Sequence, residues 1–214
     1  MHSTSFNAIK SNSVDFTIAN IKLVGAKSIH VRGIDESAIK ISPIESYFRQ
    51  MWNVSAWNKL YRMQFLKKHN LRFRDGLIHE DILWSYHLSL YSSSIAIVEY
   101  STYLYKIRRN SITTNLPNIK KIDSLIYILE EIKKYDDKSH IRLRDRFVSF
   151  WAFNTALVLL NVDSNIDSKK MYYNNIRNLV GKNISNLYSL ILHLPYRVFS
   201  FLITPIYTIY RKSR

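Results

Sequence analysis

Residues 77–84 read LIHEDILW, which sets two adjacent carboxylates, Glu80 and Asp81, between apolar residues in a chain whose formal net charge is +15. Burying an ionised carboxylate costs several kcal/mol unless it is paired or hydrogen-bonded. The pair is therefore an ion pair in a core, a charge feature at a helix N-terminus, or a site. The pattern around it predicts a helix from about His79 to Tyr91.

Working outward, the flanking stretches alternate between the two periodicities. Upstream, SPIESYFRQMW (42–52) predicts a helix start, with Ser42 as cap, Pro43 at the first helical position and Glu45 three residues after the cap. AWNKLYRMQFLKKHN (56–70) predicts a second helix with Leu60, Phe65 and Leu66 on one face. Before these, FTIANIKLVG and SIHVRGI show the period-two look of two strands or a hairpin. Downstream, SIAIVEYSTYLYKIRR (94–109) alternates β-branched and aromatic residues and predicts a strand or a pair of strands. From Ile119 onward the pattern is helical. The expected fold class is mixed α/β, with a partial sheet from segments near 14–32 and 95–108, flanking helices, and a C-terminal helical region. There is no internal repeat and no low-complexity linker.

Composition bounds the function. A chain of 214 residues with 47% hydrophobic content can bury a real core. With no cysteine, neither a disulfide framework nor a thiolate metal site is possible. The excess of Lys and Arg points to a polyanionic partner: nucleic acid, an anionic lipid surface or a phosphate-bearing substrate. Four Gly and four Pro imply long regular elements and few tight turns. The first sixteen residues hold no apolar stretch of signal-peptide length, so nothing there argues for export.

Read as one string, residues from about Ala56 to Thr114 carry, in order, WNKLY (57–61), LRF (71–73), HED (79–81), YLY (103–105) and RRNSI (108–112). This ordered set resembles the second half of the catalytic domain of bacterial family 2 glycosyltransferases of the GT-A fold, of the polysaccharide or lipopolysaccharide biosynthesis type. The resemblance implies a partial GT-A-like sheet, with residues 1–118 as the acceptor-side, C-terminal half of the catalytic domain and 119–214 as a helical extension. It implies Asp81 as general base for an inverting transfer from a nucleotide-sugar donor to a cell-surface polysaccharide or lipid-linked acceptor. Glu80 would orient that base or touch the acceptor. Arg108 and Ser111 would face the leaving diphosphate, where a guanidinium and a hydroxyl stabilise developing charge; Arg108 is preferred to Arg109 for its three-residue step to Ser111. Trp57, Asn58 and Lys59 would shape the pocket, although a packed Trp with a snorkelling Lys accounts for them equally well. His79 could touch a metal or substrate, or simply cap the helix or face solvent.

The family's nucleotide-binding half, with its Asp-x-Asp motif for a divalent metal, has no counterpart here. The acidic clusters outside HED are DES (35–37), LEE (129–131) and DD (136–137), with the isolated Asp163 and Asp167, and none has that spacing. Magnesium or manganese is expected for the complete enzyme, with no ligands identifiable in this chain. The chain is then expected to be a truncated gene product, or half of a split enzyme completed by a donor-binding partner chain.

The C-terminal run VFSFLITPIYTIY (198–210) is too short to span a bilayer. With Arg197, Arg211, Lys212 and Arg214 at its edges it suits an interfacial helix pair, and equally a core helix with a basic end. The expected location is cytoplasmic, peripheral on the inner face of the cell membrane. Two other functions compete: a noncatalytic remnant that scaffolds polysaccharide assembly, and a nucleic-acid-binding module. The latter is disfavoured because the basic residues are spread along the chain and no recognised motif gathers them.

Overall fold

The computed structural model describes residues 14–24, 33–106, 118–181, 184 and 186–212. The chain divides into two compact units. Met1–Asp75 joins Glu80–Thr113 in the first, and Gly76–His79 joins Thr114–Arg214 in the second.

In the first unit the elements run β1 (Phe16–Val24), a 3-10 turn at Glu36–Lys40, α1 (Pro43–Phe48), a 3-10 turn at Ala56–Asn58, β2 (Lys59–Tyr61), α2 (Met63–Lys68), α3 (Glu80–Tyr91) and β3 (Ile95–Lys106). Among the described residues these strands form one sheet in the order β2-β1-β3, with β1 antiparallel to β2 and parallel to β3. The central place of β1 explains its burial: Phe16, Thr17, Ile18 and Ala19 are all covered, so both faces of its first half are packed. The β1–β3 register slips on either side of Asn20. Its side chain fills that irregularity, donating to the Glu99 carbonyl at 2.9 Å and accepting from the Ile34 N–H at 3.3 Å. Beyond it the sheet leaves the core, and most of β3 after Val98 is exposed or half-buried.

The helix α1 starts as its sequence predicts. Ser42 Oγ accepts from the Glu45 N–H at 3.3 Å, and Pro43 opens the first turn. Its buried Tyr47 and Phe48 lead an aromatic cluster: Tyr47 lies 5.9 Å from Trp52 and 6.0 Å from Tyr86, and Trp52 meets Phe16 edge-on at 6.1 Å. The helix expected over 56–70 is shorter than its apolar pattern suggests. Only Met63–Lys68 is helical, because Lys59–Tyr61 pairs with Phe16–Ile18 and turns Leu60 onto Val14 and Ala96. The second strand expected near SIHVRGI falls largely on residues outside the described set.

The second unit holds α4 (Ile119–Lys133), α5 (Ile141–Leu160), α6 (Ile166–Val180), α7 (Leu187–Leu192) and α8 (Tyr196–Lys212). Ile122, Leu125, Ile128, Leu129 and Ile132 of α4 recur at helical spacing and are buried. Asn118, Asn165 and Asn186 cap α4, α6 and α7 by accepting from the backbone three residues on. The buried Tyr173 of α6 donates to the Leu192 and Leu194 carbonyls, at 3.2 and 3.1 Å, and so holds the break between α7 and α8. No described helix is long and apolar enough to cross a membrane.

Phe16 is fully buried, whereas Phe201 of α8 is 80% exposed. Phe16→Ala should therefore lower stability by about 3–5 kcal/mol, and Phe201→Ala should stay within about 0.5 kcal/mol. Urea unfolding followed by tryptophan fluorescence checks both.

Candidate functional site

The acidic pair opens α3, but its two members have different surroundings. Glu80 is exposed and Asp81 is half-buried, so burial applies to one carboxylate rather than to both. The chain enters the helix through His79 in the left-handed region, at φ 65°. Asp81 then lies in the first turn, where hydrogen bonds from the Ile82 N–H and its own N–H favour the carboxylate, as the partial positive charge of the helix end does. Burial acts the other way and is the largest influence. With the neighbouring charge of Glu80 it pushes Asp81 up to about 6, against the pull of Lys59.

Among the described residues of the first unit, Lys59, Tyr61 and Tyr47 feel the Asp81 charge. Lys59 is drawn down to about 7 by burial, and Asp81 resists that fall. Its Nζ donates to the carbonyls of Asn53 at 2.7 Å and Ser55 at 2.5 Å and to Asn58 Oδ1 at 2.9 Å, and lies 4.9 Å from the centre of the Trp52 ring. Three acceptors match the three protons of an ammonium, so the charged form fits this cradle. Tyr61 is pushed up to about 12 by burial and Tyr47 well above its ordinary range, with Asp81 contributing to both. Both hydroxyls have partners. Tyr47 donates to the Ile82 carbonyl at 3.1 Å, while Tyr61 donates to the Ala56 carbonyl at 2.7 Å and accepts from Trp84 Nε1 at 3.2 Å.

The other expected site residues divide. Asn58 is buried and structural in its bonding, since its Nδ2 donates to the Ala19 carbonyl at 3.0 Å and its Oδ1 accepts a hydrogen bond from Lys59 Nζ at 2.9 Å. Trp57 is half-buried and stacks on Tyr105 at 5.0 Å and 4°, with Tyr103 at 4.1 Å. Tyr103 and Tyr105 are two apart on β3 and so share a face, which makes an aromatic platform with Trp57. Sequence reasoning read YLY only as a strand; its i, i+2 tyrosines were the available signal. His79 belongs to the second unit, beside Lys121. Arg108 and Ser111 lie outside the described residues. Among the described residues no group of three or more His, Asp or Glu side chains converges to hold a metal ion.

No family model and no curated protein matches the chain. Solved structures do. The structure of Staphylococcus aureus TarS residues 1–349 in complex with UDP-GlcNAc matches 100% of this chain and 64% of its own, at TM-score 0.63 and 16% identity. The complex of the same fragment with UDP matches at TM-score 0.62 and 16% identity, over 100% of this chain and 63% of that one. The longer TarS structure matches at TM-score 0.56 and 16% identity, over 94% of this chain and 37% of that one. The chain thus spans about 64% of the length of the TarS fragment it matches. The likeness gives the chain a glycosyltransferase-like fold, with the mixed α/β architecture expected from its sequence.

The position of Asp81 has a measurable cost. Its carboxyl titrates near 3.8 when unfolded and about 6 when folded, so between these values the folded chain binds the extra proton. The linked stability is complete below about pH 4, falls as pH rises through this window and stays lost above it. Asp81→Asn should stabilise the protein above pH 6 by on the order of 1–3 kcal/mol and change little near pH 4. Urea midpoints at the two pH values measure the difference.

Proposed function

We propose that the chain is part of an inverting glycosyltransferase in which Asp81 takes the proton of the acceptor hydroxyl. The observation that carries this reading is a carboxylate in the first turn of α3 whose burial pushes its pKa to about 6, close to neutral pH, in a fold shared with a protein solved with UDP-GlcNAc and UDP. A general base works best when its pKa lies near the working pH, because it is then largely ionised yet still a competent proton acceptor.

In the proposed reaction the acceptor O–H bond breaks toward an Asp81 carboxylate oxygen as the acceptor oxygen forms a bond to the anomeric carbon. The bond from that carbon to the diphosphate breaks on the opposite face, and the nucleoside diphosphate leaves with the electron pair. Inversion follows from the single displacement. Glu80, exposed beside the base, is assigned to orienting the acceptor, and its charge helps to raise Asp81. The Trp57, Tyr103 and Tyr105 platform offers ring faces for a sugar or a base, since stacked aromatics present large apolar area at low entropic cost. Arg108 and Ser111 are assigned to the diphosphate.

Nucleoside and metal contacts are proposed to come from a donor-binding segment or partner chain, because this sequence has no Asp-x-Asp spacing. The acceptor is proposed to be a polysaccharide or lipid-linked glycan at the inner face of the membrane. Exposure of Val198, Phe201, Leu202 and Ile206 on α8, in a run flanked by Arg197 and Arg211, supports a headgroup-level contact.

With the donor-binding part supplied, by fusion or as a partner chain, Asp81→Asn should lower sugar transfer about 10²- to 10⁴-fold while circular dichroism stays unchanged. Glu80→Gln should cost less. Equal specific activity of Asp81→Asn and parent would remove the base assignment. Separately, the chain should sediment with vesicles containing anionic lipid and be released by salt, and Phe201→Asp should weaken this; retention on neutral vesicles alone would count against the membrane contact.

A further inference from the structure

The second unit contains a cavity of about 640 Å³ lined by residues of α5 and α8, with Lys121 of α4 and His79 also in its lining. Its walls are mostly apolar, with Leu125 of α4, Leu157 and Val158 of α5 and Ile203 of α8; Asn154 and Tyr207 also line it, and no lining side chain among the described residues is acidic. This is the size and character of sites that take organic ligands, in which a few polar groups fix one end of an otherwise apolar molecule. Lys121 and His79 are both donors to an anion; of the other polar lining residues, Asn154 already donates its Nδ2 to the Phe150 carbonyl at 2.8 Å.

The neighbourhood of the two basic groups points the same way. Ile78, next to His79, donates its N–H to Ser124 Oγ on α4 at 3.1 Å, so His79 is brought to the N-terminal end of α4 by a tertiary bond. There burial and the Lys121 charge draw His79 down to about 4, and burial lowers Lys121 as well. Lys121, which loses water with no acid among the described residues of the cavity lining, is set to gain from an anion, and the neutral His79 ring can donate one N–H to it.

We propose that this cavity binds a single-chain amphiphile with an anionic head, its head against Lys121 and His79 and its hydrocarbon chain between α5 and α8. The chain supplies the apolar contact that α5 and α8 leave open, and the head supplies the missing countercharge. The proposal stands apart from glycosyl transfer, since every lining residue belongs to the second unit and Asp81 to the first.

Calorimetric titration of the full chain with dodecyl phosphate, below its micelle concentration, tests the proposal. Saturable one-to-one binding is expected. Dodecanol and dodecyltrimethylammonium should bind at least about tenfold more weakly, and inorganic phosphate should not compete. Lys121→Gln should weaken dodecyl phosphate about tenfold or more and leave dodecanol unchanged, while Leu157→Trp, which fills the cavity, should abolish binding of both. Equal affinity for the cationic or neutral amphiphile, competition by inorganic phosphate alone, or unsaturable uptake would each overturn the proposal. Should Leu157→Trp fail to fold, the Lys121→Gln comparison still decides, because parent-like affinity in that variant removes the anionic head from the account.

Discussion

The parallel pairing of β1 with β3 is the constraint from which the first unit follows. A parallel pair cannot be closed by a hairpin, so the chain between Val24 and Ile95 must cross over the sheet before it returns. That crossover carries α1, β2, α2 and α3, and β2 is laid antiparallel on the free edge of β1 on the way. Asp15 fastens the start of the arrangement. Its Oδ2 accepts from the Ser93 N–H at 2.9 Å and Ser92 Oγ at 3.0 Å, while its backbone carbonyl accepts from Arg62 at 2.9 Å. One residue thus joins the approach to β3, the exit from β2 and the beginning of β1.

The same crossover sets the environment of Asp81. The helix α3 buries residues on several sides, Ile82, Leu83, Trp84, Tyr86 and Leu88 among them, and its first turn is pinned when Tyr47 donates to the Ile82 carbonyl. Lys59 is available to Asp81 because β2 pairing holds that part of the chain extended, and its ammonium is then fixed by three oxygens rather than left to swing. An ordinary surface carboxylate would pair with a mobile lysine for less than about 1 kcal/mol and stay near its usual pKa. Here a fixed cation offsets only part of the desolvation, and the carboxyl is held close to neutrality.

What the sequence disclosed is local in origin. Ser42 and Pro43 mark a helix start by their own chemistry, and the start of α3 and the alternation of β3 are likewise properties of a few consecutive residues. What it hid is long-range. Residues 56–61 carry an apolar spacing compatible with a helix, and only pairing with a strand some forty residues earlier makes Lys59–Tyr61 extended. Glu80 and Asp81 carry the same charge side by side in the sequence, and the packing of Tyr47, Lys59 and Tyr61 is felt by Asp81. His79 was grouped with the acidic pair by its place in the sequence, yet the bond from Ile78 to Ser124 fastens its segment to α4. Adjacent positions in a chain can serve separate units when a turn in the left-handed region lies between them.

That separation gives the Asp81 position its physical logic. A helix whose N-terminus simply maximised stability would expose both carboxylates to water and to the helix dipole, and neither would titrate near neutral pH. Sinking one of them sacrifices stability above pH 6 and leaves a carboxyl whose pKa is about 6. Such a cost persists only where the surrounding structure over-determines it. Here it is imposed by elements that bury far more than it loses: the aromatic cluster around Tyr47 and Trp52, and the covered face of α3. A destabilising carboxylate held by a well-packed frame is consistent with the proton-transfer role proposed for Asp81, and the exposed Glu80 has no such frame.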